Sequence, residues 1–327
     1  MKYFVTGATG FVGGRVARQL RAAGHQVVAL VRTLSKAGDL STLGVQLAEG
    51  DVTDRESMRA PMRGVDGVFH IAGWYKIGTR DQHLAKAVNV DGTRNVLELM
   101  RELRIAKGVY TSTLAVNSDT HGVLVDETYR YLGPHLSEYD RTKAAAHHVA
   151  ATFAREGLPL VIVQPGLIYG PGDAGPSHEL LVSYLTKNLP MVPQRTAFCW
   201  AHVDDVADGH VRAMEHGKVN ENYYICGPPH TLIDALAVAE QLSGVRAPRL
   251  TAPPALLKTM SALMRAIEWL VPVPSNYSSE YLRVSAGVTY LGSNAKARAA
   301  LAWVPRDLAV GLAETLPHEM AGLAGPR

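Results

Sequence analysis

Two cysteines in 327 residues, Cys199 and Cys226, supply neither a disulfide framework nor a C-x-x-C pair for zinc. Such sparing thiol use fits a reducing compartment, and a cytoplasmic protein is expected. The chain also lacks a charge excess: 33 Lys and Arg against 30 Asp and Glu leave +3. The cations are scattered along the chain, so no nucleic-acid partner is expected. Long hydrophobic runs are missing too. The most apolar stretch, 252–274, is broken by Lys258, Arg265 and Glu268. Within it Leu256, Met260, Leu263, Ile267 and Leu270 recur at helical spacing. That is the pattern of an amphipathic helix, packed in a core or, with Met264 and Trp269, along an apolar pocket, and not of a membrane span. No signal peptide is expected at Met1-Lys2, and no internal repeat points to a solenoid.

What is present suits a large buried core: 47% hydrophobic and 19% charged residues need no metal or disulfide staple at this length. Short apolar runs at 3–6, 26–31, 45–48, 67–71, 108–111 and 160–163 alternate with helical patterns, among them 11–23, 83–103 and 138–156. The strands lack period-two alternation, which predicts an α/β fold whose parallel, doubly wound sheet is covered on both faces. After Pro165 the texture changes to a glycine- and proline-rich loop (Gly166, Gly170, Pro171, Gly172, Gly175, Pro176) and then to helical segments. The expected organisation is a Rossmann domain over 1–170, with a returning segment near 200–227, and a smaller, mainly helical substrate lobe over 171–327. The tail from Leu323 is expected to fray.

The first apolar run leads into Gly7-Ala8-Thr9-Gly10-Phe11-Val12-Gly13-Gly14. A glycine triplet alone is weak evidence, but here a strand precedes it, a helix follows, and a second strand comes about 20 residues on. Gly7 permits the tight turn, Gly10 lets the backbone approach a pyrophosphate, and Gly13 lets helix and strand pack closely. The free N–H groups of the helix start, around Thr9, Gly10, Phe11 and Val12, then hold phosphates. The end of the second strand selects the dinucleotide. It carries Val31-Arg32-Thr33 with Lys36 behind, and no acid before Asp39, which favours a 2′-phosphate and NADP(H), with NAD(H) as the alternative.

Tyr139 and Lys143 lie four residues apart at the start of a helical pattern and so share one face. A nearby ammonium stabilises a phenolate, so Lys143 is expected to lower the Tyr139 pKa for acid/base work. Y-x-x-x-K is common on helix surfaces, and its weight comes from lying downstream of the glycine loop.

These segments, with E-G-D-V-T-D (49–54), H-I-A-G (70–73), N-V-D-G-T-R-N-V (89–96), Y-T-S-T (110–113), Y-D-R-T-K (139–143), Y-G-P-G-D (169–173) and H-V-D-D-V-A (202–207), resemble the extended short-chain dehydrogenase/reductases over nearly the whole chain. The resemblance implies Tyr139 as general acid/base, Lys143 as its partner, and Thr113 as the hydroxyl on the reacting oxygen, with Ser112 as the competing choice. It further implies that Asp51 and Val52 frame the adenine, that Ala72 and Gly73 pass the adenosine ribose, and that Pro165 begins the loop beside the nicotinamide. Gln164 departs from the Arg that many relatives carry there. His70, His202 and Asp204 fall inside the family segments and are expected at strand and helix ends, not on a metal. His147 and His148 are expected to pack or to face solvent.

The activity implied is NADPH-dependent carbonyl reduction, as in dihydroflavonol and cinnamoyl-CoA reductases, on a small-molecule carbonyl or alcohol. A nucleotide-sugar or hopanoid-associated epimerase retaining its cofactor is the alternative. A dehydratase fits less, because Leu114-Ala115 stands where such relatives carry Asp-Glu, and a non-catalytic sensor would commonly have lost the Tyr or the Lys. Homodimerisation through the Tyr139 helix is implied by analogy alone.

Overall fold

A computed structural model describes residues 1–76, 82–271, 273 and 278–324. The side chain of Trp269 and the end of the tail, 325–327, lie outside the described residues, so the expectations placed on them are not taken up again.

The chain begins with β1 (Lys2–Thr6), α1 (Phe11–Ala22), β2 (Gln26–Val31), α2 (Gly38–Thr42), β3 (Gln46–Glu49), α3 (Arg55–Met62) and β4 (Gly67–His70). Next, α4 (Gln82–Lys86) passes through a π turn at Ala87–Asp91 into α5 (Gly92–Glu102), and β5 (Lys107–Thr111), α6 (Glu138–Arg155) and β6 (Leu160–Pro165) follow. The remainder comprises β7 (Leu167–Tyr169), α7 (Pro176–Leu185), β8 (Val192–Pro193), β9 (Ala197–His202), α8 (Val203–Glu215), β10 (Asn222–Ile225), β11 (Pro229–Thr231) and α9 (Leu232–Ser243). It closes with β12 (Thr251–Ala252), α10 (Pro254–Leu270), α11 (Ser279–Val284), β13 (Thr289–Tyr290), α12 (Ala295–Leu301) and α13 (Leu308–Ala324).

Seven strands form one parallel sheet in the order β10-β6-β5-β4-β1-β2-β3. This is a Rossmann-type α/β fold. Alternate strand residues feed two cores: Val5, Val27 and Phe69 pack on one face with Val16, Leu20 and Trp303, while Phe4, Val28 and Val68 pack on the other with Met58, Leu97 and Phe153. Burial on both faces is why the strands read as unbroken apolar runs. The strand order reverses between β1 and β4, so a crevice opens at their carboxyl ends, where ligands of such sheets sit. The segment after 200 returns to this sheet, with β10 pairing with β6 from Asn222↔Ile162 to Ile225↔Pro165.

Two expectations are revised and one is extended. The helical pattern over 83–103 is interrupted by the π turn, which buries Asn89. The C-terminal part is mainly helical, as expected, but β9 also gathers β11, β13 and β7 into a second small sheet that the sequence did not announce. Strands of two to six residues, such as β13 and β9, leave little periodicity to read. The other revision concerns α10. Its anticipated core stripe, Leu256, Met260, Leu263, Ile267 and Leu270, is exposed. Leu257 instead packs with Ala252, Leu282 and Ala286, while Ser261 and Glu268 hydrogen-bond Ser279 of α11. Among the described residues no helix is long and apolar enough to cross a membrane.

Candidate active site

The crevice is built from the glycine loop upward. Gly7 adopts φ +72°, and a Cβ there would come within 2.7 Å of the Ala72 nitrogen, so the loops after β1 and β4 run side by side. A Cβ on Gly13 would overlap the Gly7 carbonyl, which fixes how closely α1 meets the loop. Gly10 caps α1 without any side-chain hydrogen bond, leaving the first-turn N–H groups of Phe11 and Val12 beside exposed Thr9 open to an anion. Thr6 ties the second loop down: its Oγ1 accepts from Ile71 N and Ala72 N at 3.1 Å each. It also meets His70 Nδ1 at 2.8 Å, and His70 Nε2 meets Thr93 Oγ1 at 3.0 Å. Burial, aided by Lys143, drives the His70 pKa down to about 3, so this imidazole is a neutral strut.

At the rim, Arg32 and Lys36 are exposed and form no ion pair among the described residues. Asp51 is half-buried in a turn, its Oδ1 accepting from Thr53 N and Oγ1 at 2.8 Å each, and Val52 packs against Gly92. An uncapped helix start and backbone passing where no Cβ would fit suit the pyrophosphate of a dinucleotide, and two exposed cations stand at the end of β2.

On the far side, the first two turns of α6, capped by Ser137, carry Tyr139 and Lys143 to the same crevice. Lys143 is buried, donates to the Thr111 carbonyl at 2.8 Å, and lies 5.1 Å above the Tyr110 ring. A Cβ on Gly73 would stand 3.8 Å from its Nζ, so the β4 loop and the lysine are neighbours. The two competing hydroxyls are in different surroundings: Thr113, whose Oγ1 accepts from Ala115 N at 3.2 Å, is the one that tempers the Tyr139 phenol, whereas Ser112 Oγ meets inward-facing His147 Nδ1 at 2.9 Å. His148 is exposed. Gln164 Nε2 reaches the Thr113 carbonyl at 3.5 Å, and Pro165 is buried at the end of β6.

The expected acidification of Tyr139 is not found in the protein itself. Burial pushes this phenol up to about 12; the neighbouring Thr113 hydroxyl opposes the rise and the Asp140 carboxylate adds to it. Burial also pulls Lys143 down to about 8. The Lys143 amine donates to the Thr111 carbonyl, and desolvation dominates the phenol.

Sequence reasoning assigned no role to Asn89 or Asp140. Asn89 Oδ1 accepts from Trp74 N at 2.7 Å, while its Nδ2 donates to Trp74 O and to Thr142 Oγ1 at 3.0 Å each, tying the β4 loop to the Tyr139 helix. Its only signal was its place at the head of N-V-D-G-T-R-N-V. Asp140 is buried against Tyr290, whose hydroxyl donates to Oδ2 at 3.0 Å, and burial raises its carboxyl to about 7.

His202 and Asp204 lie at a helix end, away from this pair. His202 Nδ1 caps α8 by accepting from Asp204 N at 3.3 Å. With Glu314 they bring three ligand-type atoms within 4.8 Å of one another. The carboxylates are already matched, Asp204 by Arg15 at 2.9 Å and Glu314 by Arg306 at 2.7 Å, so the cluster is an ion-pair junction. Cys199 and Cys226, distant in sequence, meet in the interior, each thiol donating to the Gly292 carbonyl.

A Rossmann crevice facing a Tyr-x-x-x-Lys helix defines an extended short-chain dehydrogenase/reductase. Residues 3–226 match the NAD dependent epimerase/dehydratase family, and the chain belongs to it. It is similar to a Synechocystis protein named "Putative dihydroflavonol 4-reductase", 34% identical over 77% of this chain and 75% of that one. It is also similar to "Sterol demethylase protein B" of Methylococcus capsulatus, 32% identical over 82% of each. The crystal structure of gox2253 superposes with a TM-score of 0.86 at 29% identity, covering 98% of both chains. Membership makes this an enzyme-type chain whose family depends on a nicotinamide dinucleotide.

Proposed function

We propose that the protein reduces a lipophilic ketone or aldehyde to an alcohol with NADPH. The observation that carries this reading is the Thr113–Tyr139–Lys143 group: a phenol held protonated well above neutral pH, tempered by a neighbouring hydroxyl, one helical turn from a buried amine. A proton-holding phenol is an acid, which is what reduction asks for. NADPH, when bound, supplies the hydride to the carbonyl carbon. Tyr139 gives its proton to the oxygen on which charge develops, Thr113 hydrogen-bonds that oxygen, and the Lys143 ammonium stabilises the phenolate left behind. Gly7, Gly10 and the α1 N-terminus would hold the pyrophosphate, and Asp51, Val52, Ala72 and Gly73 the adenosine. Arg32 and Lys36 would take the 2′-phosphate, and Pro165 would flank the nicotinamide. The names of the two relatives, a reductase of dihydroflavonols and a sterol-processing protein, support a carbonyl substrate of low polarity.

The test is a screen of purified protein with NADPH or NADH against aldehydes, ketones and nucleotide sugars, followed at the nicotinamide absorbance. Consumption of NADPH on ketones or aldehydes is expected. Sugar interconversion without net consumption would instead identify an epimerase. Tyr139→Phe is expected to lower turnover by about 10²–10⁴-fold while leaving cofactor binding intact.

A further inference from the structure

The exposed stripe on α10 has no part in the chemistry above. Leu256, Met260, Leu263, Ile267 and Leu270 fall within an arc of about 80° on the helical wheel. They face solvent, Leu263 at 62% and Leu270 at 71% exposure. The helix is fastened to the protein along a neighbouring strip, through Leu257, Ser261 and Glu268. Scattered surface apolar residues need no explanation, but five large apolar side chains on one face of one 17-residue helix form a surface that water disfavours.

The charges around the stripe select what covers it. From Gln241 to Ile267 the chain holds Arg246, Arg249, Lys258 and Arg265 and no Asp or Glu. Arg249 pairs with Glu240, and the other three cations have no ion-pair partner among the described residues. Lys258 and Arg265 lie on the face of α10 opposite the stripe. Apolar residues on one face, cations on the other, and a length of about 26 Å describe a helix that lies in a membrane interface and does not cross it.

We infer that α10 docks the protein in the plane of an anionic phospholipid bilayer, with the five apolar side chains entering the headgroup–acyl boundary. The cations are drawn by the negative surface. The inference stands independently of the proposed reduction. It also gives the lobe a geometry: Ser261 and Glu268 hold Ser279, the adjacent Glu280 carboxylate accepts from Glu138 N, and Glu138 precedes Tyr139. The docked helix is thus linked to the start of the helix that carries the candidate acid.

The experiment is co-sedimentation of the full chain with vesicles of phosphatidylcholine alone and of phosphatidylcholine mixed with phosphatidylglycerol. Binding to the mixed vesicles is expected, falling with added salt and weak on phosphatidylcholine alone. Leu263→Asp with Ile267→Asp is expected to weaken it about tenfold or more at unchanged thermal melting. Should that variant fold poorly, Lys258→Glu with Arg265→Glu, both exposed, is expected to weaken binding on the anionic vesicles. Three results would overturn the inference: no binding of the unmodified chain, equal binding to both vesicle types, or vesicle-free self-association that the Leu263/Ile267 variant abolishes.

Discussion

Burial moves Tyr139 and Lys143 in opposite directions, and that decides how the pair behaves with pH. The lysine, pulled down to about 8, is an ammonium only below that value, whereas the phenol keeps its proton throughout the neutral range. Reduction needs both the phenolic proton and the ammonium. The reductive rate is therefore expected to be level below about pH 8 and to fall above it, and Lys143→Met to be slow at every pH without that limb. A pH–kcat profile with no basic limb in the unmodified enzyme would refute the assignment. Asp140 gives a second titration. Its folded pKa of about 7 exceeds its usual 3.8, so the stability it contributes is complete below about pH 4 and is lost as pH rises through 7. Asp140→Asn keeps an acceptor for the Tyr290 hydroxyl without the charge. Its Tm is expected to match the unmodified protein near pH 4 and to exceed it increasingly toward pH 8. The spacing of Tyr139 and Lys143 was legible in the sequence; their protonation was not, because desolvation belongs to the assembled crevice.

At the scale of elements, what could be read was what periodicity and glycine encode. Five of the six parallel strands before Gly166 are buried on both faces and announce themselves as apolar runs, the edge strand β3 being half-exposed, and Gly7 and Gly13 mark places where loop, strand and helix backbones approach closely. The π turn escaped because inserting a residue into a helix barely disturbs a 3.6-residue pattern while turning Asn89 inward. The stripe of α10 was misplaced for the converse reason: amphipathic spacing identifies a face without saying what it faces. Asn89 carries the prediction at this scale. Asn89→Ala removes the acceptor for Trp74 N and the donor to Thr142, three hydrogen bonds across two elements. A loss of about 1–3 kcal/mol is expected in denaturant unfolding. Weaker NADPH binding by fluorescence titration is expected with it, since the β4 loop is no longer tethered to α6. Loss of stability at unchanged affinity would mean that the tether serves only the fold.

Across the whole molecule, the cofactor helix and the C-terminal helices meet on the first turn of α8. Arg15 of α1 reaches Asp204 at 2.9 Å and the Pro171 carbonyl at 2.7 Å. Arg306 grips Asp205 through its backbone N–H and its guanidinium, and it also pairs with Glu314. This accounts for the H-V-D-D-V-A segment: His202 caps the helix and each aspartate is matched to one arginine. The two arms differ in solvent access. Asp204 is 42% exposed beside Arg15, whereas Asp205 is 14% exposed beside Arg306. Exposed pairs are worth about 0–1 kcal/mol, while a largely buried carboxylate stripped of its guanidinium costs about 1–3 kcal/mol. Arg306→Ala is therefore expected to lower Tm by several degrees with little dependence on salt. Arg15→Ala should lower it only slightly, yet weaken NADPH binding, because its hydrogen bond to Pro171 holds the glycine loop's helix against the loop after β7. Equal melting shifts in the two variants, measured by calorimetry at low and high salt, would show that burial does not rank these contacts and that the junction acts as one undivided unit.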